Sequence, residues 1–141
     1  YPLLEVIKCI EKVKKKIKPT LVYTHSGGDL NIDHRIVVNA VLTAFRPEPK
    51  ETCKEIRSIE IPSATDFGHE SVTGKFSPNL FIEITKTWNS KLLAMKAYKS
   101  ELKDFPHSRS IENIKNLAYV RGSQAGVKMA EAFQVLRKIE K

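Results

Sequence analysis

Between Leu3 and Phe45 the hydrophobic period of the chain changes twice, and this alternation constrains the fold more than any other feature. Leu3, Ile7, Ile10, Val13 and Ile17 recur at helical spacing, and Pro2 stands where a helix start tolerates a residue without an N–H. Pro19 predicts the end of that helix, after which Leu21-Val22-Tyr23-Thr24 reads as a short buried strand. A polar loop with two glycines runs from His25 to Ile32. From Asp33 the helical period returns in Ile36, Val37, Ala40, Val41, Ala44 and Phe45, closed by Pro47 and Pro49. A short apolar strand between two amphipathic helices must be covered on its faces, so the pattern predicts α/β layers around a mostly parallel sheet.

The remainder repeats the alternation. Ile56 to Ile61 reads as a strand, Pro62 to Pro78 as a loop and Leu80 to Ile84 as another strand. A helix is expected from Thr87, with Trp88, Leu92, Met95 and Leu102 on one side, until Pro106 interrupts. Ser110 is a suitable N-cap for a further helix carrying Ile111, Ile114, Leu117 and Ala118, with Gly122 and Gly126 expected to loosen its end. Ala132 to Leu136 fits either a last strand or a helical turn. Trp88 and Tyr98 read as core residues, and Glu131 with Arg121 as a structural pair. Four candidate strands are few for a parallel sheet, and a strong helix begins almost at once after Tyr1-Pro2. The expectation is that residues 1–141 form the C-terminal portion of a single domain whose first strands are missing.

Composition narrows the functional classes. The 141 residues suffice for one domain with a real core. No apolar run approaches the roughly 18 residues of a membrane helix, so no membrane span is expected. The net charge of +8 raises the question of nucleic acid. Yet six lysines from Lys8 to Lys18 lie on what reads as the solvent face of the first helix, without interleaved aromatics on which bases would stack. Nucleic-acid binding is therefore not expected. Cys9 falls among helical apolar positions and is expected to be a buried thiol, whereas Cys53 reads as part of a polar loop. Two isolated thiols fit a reducing, cytoplasmic setting.

The chemistry concentrates after the first strand. Ligands of parallel α/β sheets bind at the carboxyl ends of strands, and the His25–His34 loop occupies that place. It holds His25, Asp29, Asp33 and His34 within ten residues. His34 would lie in the first turn of the next helix, where the helix dipole disfavours a charged imidazole and so favours the form that ligates a metal. Asp33 would orient a neighbouring donor, or else merely cap the helix and leave His34 a surface residue. His107 and Arg109, between two helices, would either reach the site or an anionic substrate group, or satisfy themselves locally. His69 has no assigned role.

Several ordered segments resemble the PIG-L/LmbE family of metal-dependent deacetylases. They are Thr24-His25-Ser26-Gly27-Gly28-Asp29-Leu30-Asn31-Ile32-Asp33-His34-Arg35, Ile61-Pro62-Ser63-Ala64-Thr65, Lys96 to Glu101, Phe105-Pro106-His107-Ser108-Arg109-Ser110, and Arg121 to Val127 leading to Ala130-Glu131-Ala132-Phe133. The resemblance implies a Rossmann-like fold and zinc-dependent removal of an acetyl group from an N-acetylglucosamine-type sugar or conjugate. The family binds zinc through a His and an Asp of a His-Pro-Asp-Asp motif and through a later His, which His34 matches. No His-Pro-Asp-Asp occurs here. The resemblance therefore implies that two metal ligands and the general base are absent from residues 1–141, and that zinc is held poorly or not at all. Where many members have a His supported by Asp, this chain has Asn31 and Asp33. Asn31 can donate a hydrogen bond to an oxyanion but cannot carry a proton, which leaves His25 or His107 for that role, His25 being preferred for its place in the same loop. Ser63 and Thr65, at a strand end, are candidates to contact sugar hydroxyls. The alternative is a non-catalytic binding or scaffold fragment. Apolar surface left by missing strands would favour a homo-oligomer.

Overall fold

The computed structural model describes residues 2–140; Tyr1 and Lys141 lie outside them. Residues Leu3–Ile17 form α1, Leu21–Thr24 β1, Ile32–Ala44 α2, Glu55–Ile59 β2, Glu70–Thr73 α3, Leu80–Glu83 β3, Trp88–Ala97 α4, Ile111–Ala125 α5 and Ala130–Lys138 β4. The strands hydrogen-bond in the order β1-β2-β4-β3. β1 and β2 run parallel with Leu21 opposite Glu55 and Thr24 opposite Ser58, while β3 is antiparallel to β4, Leu80 facing Phe133 and Glu83 facing Ala130. This is the expected α/β class, with a mixed, mostly parallel sheet. The chain divides into two compact units, Tyr1–Ser77 with Gln134–Lys141, and Pro78–Phe133.

In the first unit, α1 starts at Pro2, whose extended backbone and missing N–H suit a helix boundary. It ends because Lys18 turns left-handed (φ 50°) and returns its N–H to the Lys14 carbonyl at 2.8 Å, just before Pro19. Ile7 and Ile10 pack against Val41, Ala44 and Phe45 of the α2 region and against Cys53 and Ile56. Full burial of Ile56 contributes about 2 kcal/mol. Lys14 reaches over this core: it donates to the Ala44 carbonyl at 2.6 Å, pairs with Glu51 and lies 5.1 Å from the Phe45 ring centroid. The expectation for Cys9 is corrected, while Cys53 lies in the loop before β2 as expected. Cys9 is exposed, whereas Cys53 is buried, donates to the Glu55 carbonyl at 3.3 Å and has its thiol pKa pushed up by burial. The helical period had placed Cys9 near apolar neighbours, but the packed stripe is narrower than the apolar one. The loop expected from Pro62 to Pro78 contains the one-turn α3, and β2 stops at Ile59 because Ile61 begins a tight turn.

In the second unit, Ile84, Ala118 and Met129 form the core with Trp88 packed against them. Trp88 thus has the expected role, but Tyr98 is 70% exposed. α4 stops at Ala97, so Leu102 lies beyond the helix on which its spacing had placed it. α5 runs straight through Gly122 and stops at Gly126, whose φ of 70° ends it. Glu131 pairs with Lys91 at 2.5 Å, and Arg121 donates to the Gln124 amide. Ala132 to Leu136 belongs to a strand, the nine-residue β4. No helix among the described residues is long and apolar enough to cross a membrane.

Candidate functional site at the carboxyl end of β1

Thr24 closes β1 with its side chain buried, and the chain turns at once. The Ser26 hydroxyl accepts the Gly28 N–H at 3.1 Å, and the Leu30 N–H reaches the Ala64 carbonyl at 3.0 Å. Glycine is required at the crossing behind this turn. A Cβ on Gly68 would sit 2.4 Å from the Gly28 carbonyl oxygen, and one on Gly28 would sit 2.9 Å from the Lys75 carbonyl carbon. The segment from Ile61 to Lys75 therefore backs the loop at backbone contact, and the Gly-rich stretch of the sequence is where that contact occurs.

Asp29, fully buried, organises what the turn presents. Its Oδ1 accepts the Asn31 N–H at 2.8 Å, and its Oδ2 lies 2.8 Å from His34 Nδ1. Arg35 ties the same corner by donating to the carbonyls of Asp29 and Leu30, each at 2.8 Å. Asn31 is the N-cap of α2: its Oδ1 accepts the Asp33 N–H at 2.9 Å. Capping by Asn31 corrects the sequence expectation for Asp33, which is exposed in the first turn. With Asn31 Oδ1 committed to the cap, the side-chain NH2 is the end left to meet a ligand.

His34 lies in the first turn of α2 with its side chain 23% exposed. With Nδ1 engaged by Asp29, Nε2 is the nitrogen available for further bonding. The His25 ring stacks on it, centroids 4.0 Å apart and planes 20° from parallel. Burial, and then the proximity of His34, hold the His25 pKa below the usual imidazole value, against the opposing pull of Asp29. His25 Nδ1 is buried and makes no hydrogen bond among the described residues.

The other candidates divide by place. Ser63, at a left-handed φ of 68°, and Thr65 lie in the turn behind the loop. The Thr65 hydroxyl donates to the Ile61 carbonyl at 2.9 Å and accepts the Ile61 N–H at 3.1 Å, so it braces the turn. His107 and Arg109 belong to the other unit. There His107 Nδ1 accepts the Arg109 N–H at 3.0 Å, and Arg109 pairs with Glu101. His69, without a role in the sequence reading, caps α3. The residue that sequence reasoning noticed but did not assign is Asp29. Its signal was an acid set in a Gly-Gly turn two positions before an Asn cap.

A catalytic zinc relies on about three protein ligands. His34, with Asp29 behind it, fits one such position. Among the described residues no group of three His, Cys, Asp or Glu side chains is placed to hold a metal. The described residues thus do not build the zinc site by themselves.

No family model and no curated protein matches the chain. Solved structures do. The chain is similar to N,N'-diacetylchitobiose deacetylase from Pyrococcus horikoshii, at 20% identity and TM-score 0.66, over 94% of this chain and 51% of that one. It is similar to the 4-carboxy-2-hydroxymuconate hydratase GalB of Pseudomonas putida, at 19% identity and TM-score 0.70, over 97% of this chain and 60% of that one. A third likeness is to a conserved protein from Thermus thermophilus, at 18% identity and TM-score 0.69, over all of this chain and 61% of that one. These likenesses establish the fold. The chain spans between half and two thirds of the length of each.

Proposed function

We propose that residues 1–141 carry the His34 side of a hydrolase site that removes the acetyl group from an N-acetyl amino sugar or its conjugate, with zinc as the metal of the complete site. The observation that carries this reading is the Asp29–His34 pair at the carboxyl end of β1, which leaves an imidazole nitrogen available at the mouth of a rigid loop. The ordered motifs resembling the PIG-L/LmbE family support it. So does a fold shared with a deacetylase of an N-acetylated sugar. In the complete site, held in part by His34, a zinc ion would polarise the acetamide carbonyl and activate water.

The chain's own residues have separable roles in this reading. His34 offers Nε2 to the metal. The Asn31 amide, held by its capping bond, donates to the carbonyl oxygen as negative charge develops there. Asp33, exposed beside it in the first turn of α2, accepts from a sugar hydroxyl. His25 stacks on His34 and is the chain's nearest imidazole for moving a proton. Ser63, in the turn behind the loop, is assigned to a sugar hydroxyl. The remaining two metal ligands and the general base come from outside residues 1–141.

The test is acetate release from N-acetylglucosamine and its conjugates with zinc present. It compares this chain with a form extended upstream through a His-Pro-Asp-Asp segment. Release by the extended form, lost in His34→Ala, supports the proposal; no release from any amino sugar at full zinc occupancy refutes it. A second reading, a binding or scaffold domain without catalysis, is kept open by the hydratase with the same fold, because a fold does not determine a reaction. It predicts sugar binding with no turnover in either form.

A further inference from the structure

The His34 ring is held by an acid that has no solvent exposure and whose second oxygen is already committed. We propose that Asp29 is a positioning residue that selects the tautomer of His34, holding the ring proton on Nδ1 so that Nε2 carries the lone pair. The inference rests on the reading of His34 as the working imidazole of the site, but it concerns the protein without any metal.

The argument is one of hydrogen-bond direction. The backbone N–H of Asn31 is an obligatory donor, and Asp29 Oδ1 accepts it at 2.8 Å. Oδ2 is the carboxylate's remaining acceptor, and it lies 2.8 Å from His34 Nδ1. The contact is satisfied with the ring proton on Nδ1. The Asp29 backbone is pinned through its carbonyl by Arg35, and the next residue is pinned by the Leu30–Ala64 bond. His25 covers one face of the His34 ring at 4.0 Å. Neither the acid nor the ring is free to turn away, and His34 Nε2 is left as an acceptor.

The same reasoning makes Asp29→Asn a directional probe. The Asn31 N–H still demands an oxygen, so the carboxamide must place its Oδ1 there and turn its NH2 toward His34. An NH2 group donates, which requires an unprotonated Nδ1 and moves the ring proton to Nε2. The nearly isosteric substitution should thus invert the tautomer without enlarging or emptying the site.

Imidazole 15N shifts and long-range 1H–15N correlations on 15N-histidine-labelled, chelator-treated protein at about pH 8 measure this directly, with His34→Gln assigning the resonances. The expected result is Nδ1–H for His34 in the wild type, and a population ratio shifted at least about tenfold toward Nε2–H in Asp29→Asn. An Nε2–H His34 in the wild type overturns the proposal, as does a folded Asp29→Asn protein whose His34 stays Nδ1–H. If that variant does not fold, the wild-type tautomer alone decides. A loss of stability through Asp29 alone would not invert a tautomer. Absence of acetate release from any form would refute the hydrolase reading and leave this measurement unmoved.

Discussion

Two helices of this protein begin in the same way and end in different chemistry. α2 is capped by Asn31 and α5 by Ser110, each accepting a backbone N–H of the first turn, and each start lies close to a histidine. Before α5, His107 Nδ1 accepts the backbone N–H of Arg109, and Arg109 pairs with Glu101. Before α2, the buried acid is placed behind the histidine: Asp29 holds one side of the ring and leaves the other outward. The helix start is common to both. What separates the two is the group at Nδ1: a backbone N–H at His107, and at His34 a fully buried carboxylate held by a strand end, a glycine crossing and a backing turn.

Substitutions can break this contrast. In a form of the protein that releases acetate, His34→Ala is expected to lower the rate on the order of 10³-fold and to cost about 2 kcal/mol of stability, because buried Asp29 Oδ2 loses its partner. An equal effect from His107→Ala would show that the two loops are not different in kind. Next in size, Gly68→Ala forces a Cβ against the Gly28 carbonyl oxygen and should cost about 3 kcal/mol in urea unfolding, since backbone cannot step aside as a side chain can. A cost under about 1 kcal/mol would mean that the backing segment does not hold the loop. Asn31→Asp keeps the cap but removes the amide donor, so acetate release should fall about 100-fold while stability holds. Asn31→Ala should also cost about 1 kcal/mol of stability.

Acid sensitivity sharpens the comparison from outside both loops. Burial raises the Glu51 pKa, but Lys14, the Cys53 N–H and the Thr52 N–H outweigh it and bring the carboxyl below its usual value. A carboxyl with a depressed folded pKa adds stability that is present above the unfolded pKa and lost as pH falls through the folded one. Glu51→Gln should therefore flatten the loss of stability below about pH 4.5 and cost about 1 kcal/mol at neutral pH, read from denaturation midpoints across pH. His25 acts at higher pH. Its folded pKa is lowered by burial, so below about pH 6.5 the unfolded chain binds a proton that the folded one refuses, and stability falls until the depressed folded value is passed. The smallest effect is expected at the α5 loop: Glu101 is 63% exposed, so Arg109→Ala should cost about 0.5 kcal/mol.

Much of this was legible in residues taken in order. The alternation of period around Pro19 and Asp33 placed α1, β1 and α2, and Ser110 marked the start of α5, because caps and hydrophobic stripes are local properties. Boundaries failed where a local pattern outran its packing. Leu102 continued the stripe of α4 after the helix had ended, and Cys9 and Tyr98 had helical neighbours of the right kind but no layer above them. The strand character of Ala132 to Leu136 was open in sequence because a short apolar run suits either conformation, and its strand partners decided it.

The same division runs through the site. Sequence alone determined that an acid- and histidine-bearing turn follows a parallel strand and leads into a capped helix, since glycines, a strand and a cap act within a few residues. Only the tertiary structure decided that Asp29, not Asp33, faces His34, and that His25 stacks on that ring. It also decided that Gly68, far along the chain, supplies the room for Gly28. Which acid meets which imidazole depends on burial and on backbone crossings between distant segments, and no local spacing encodes those.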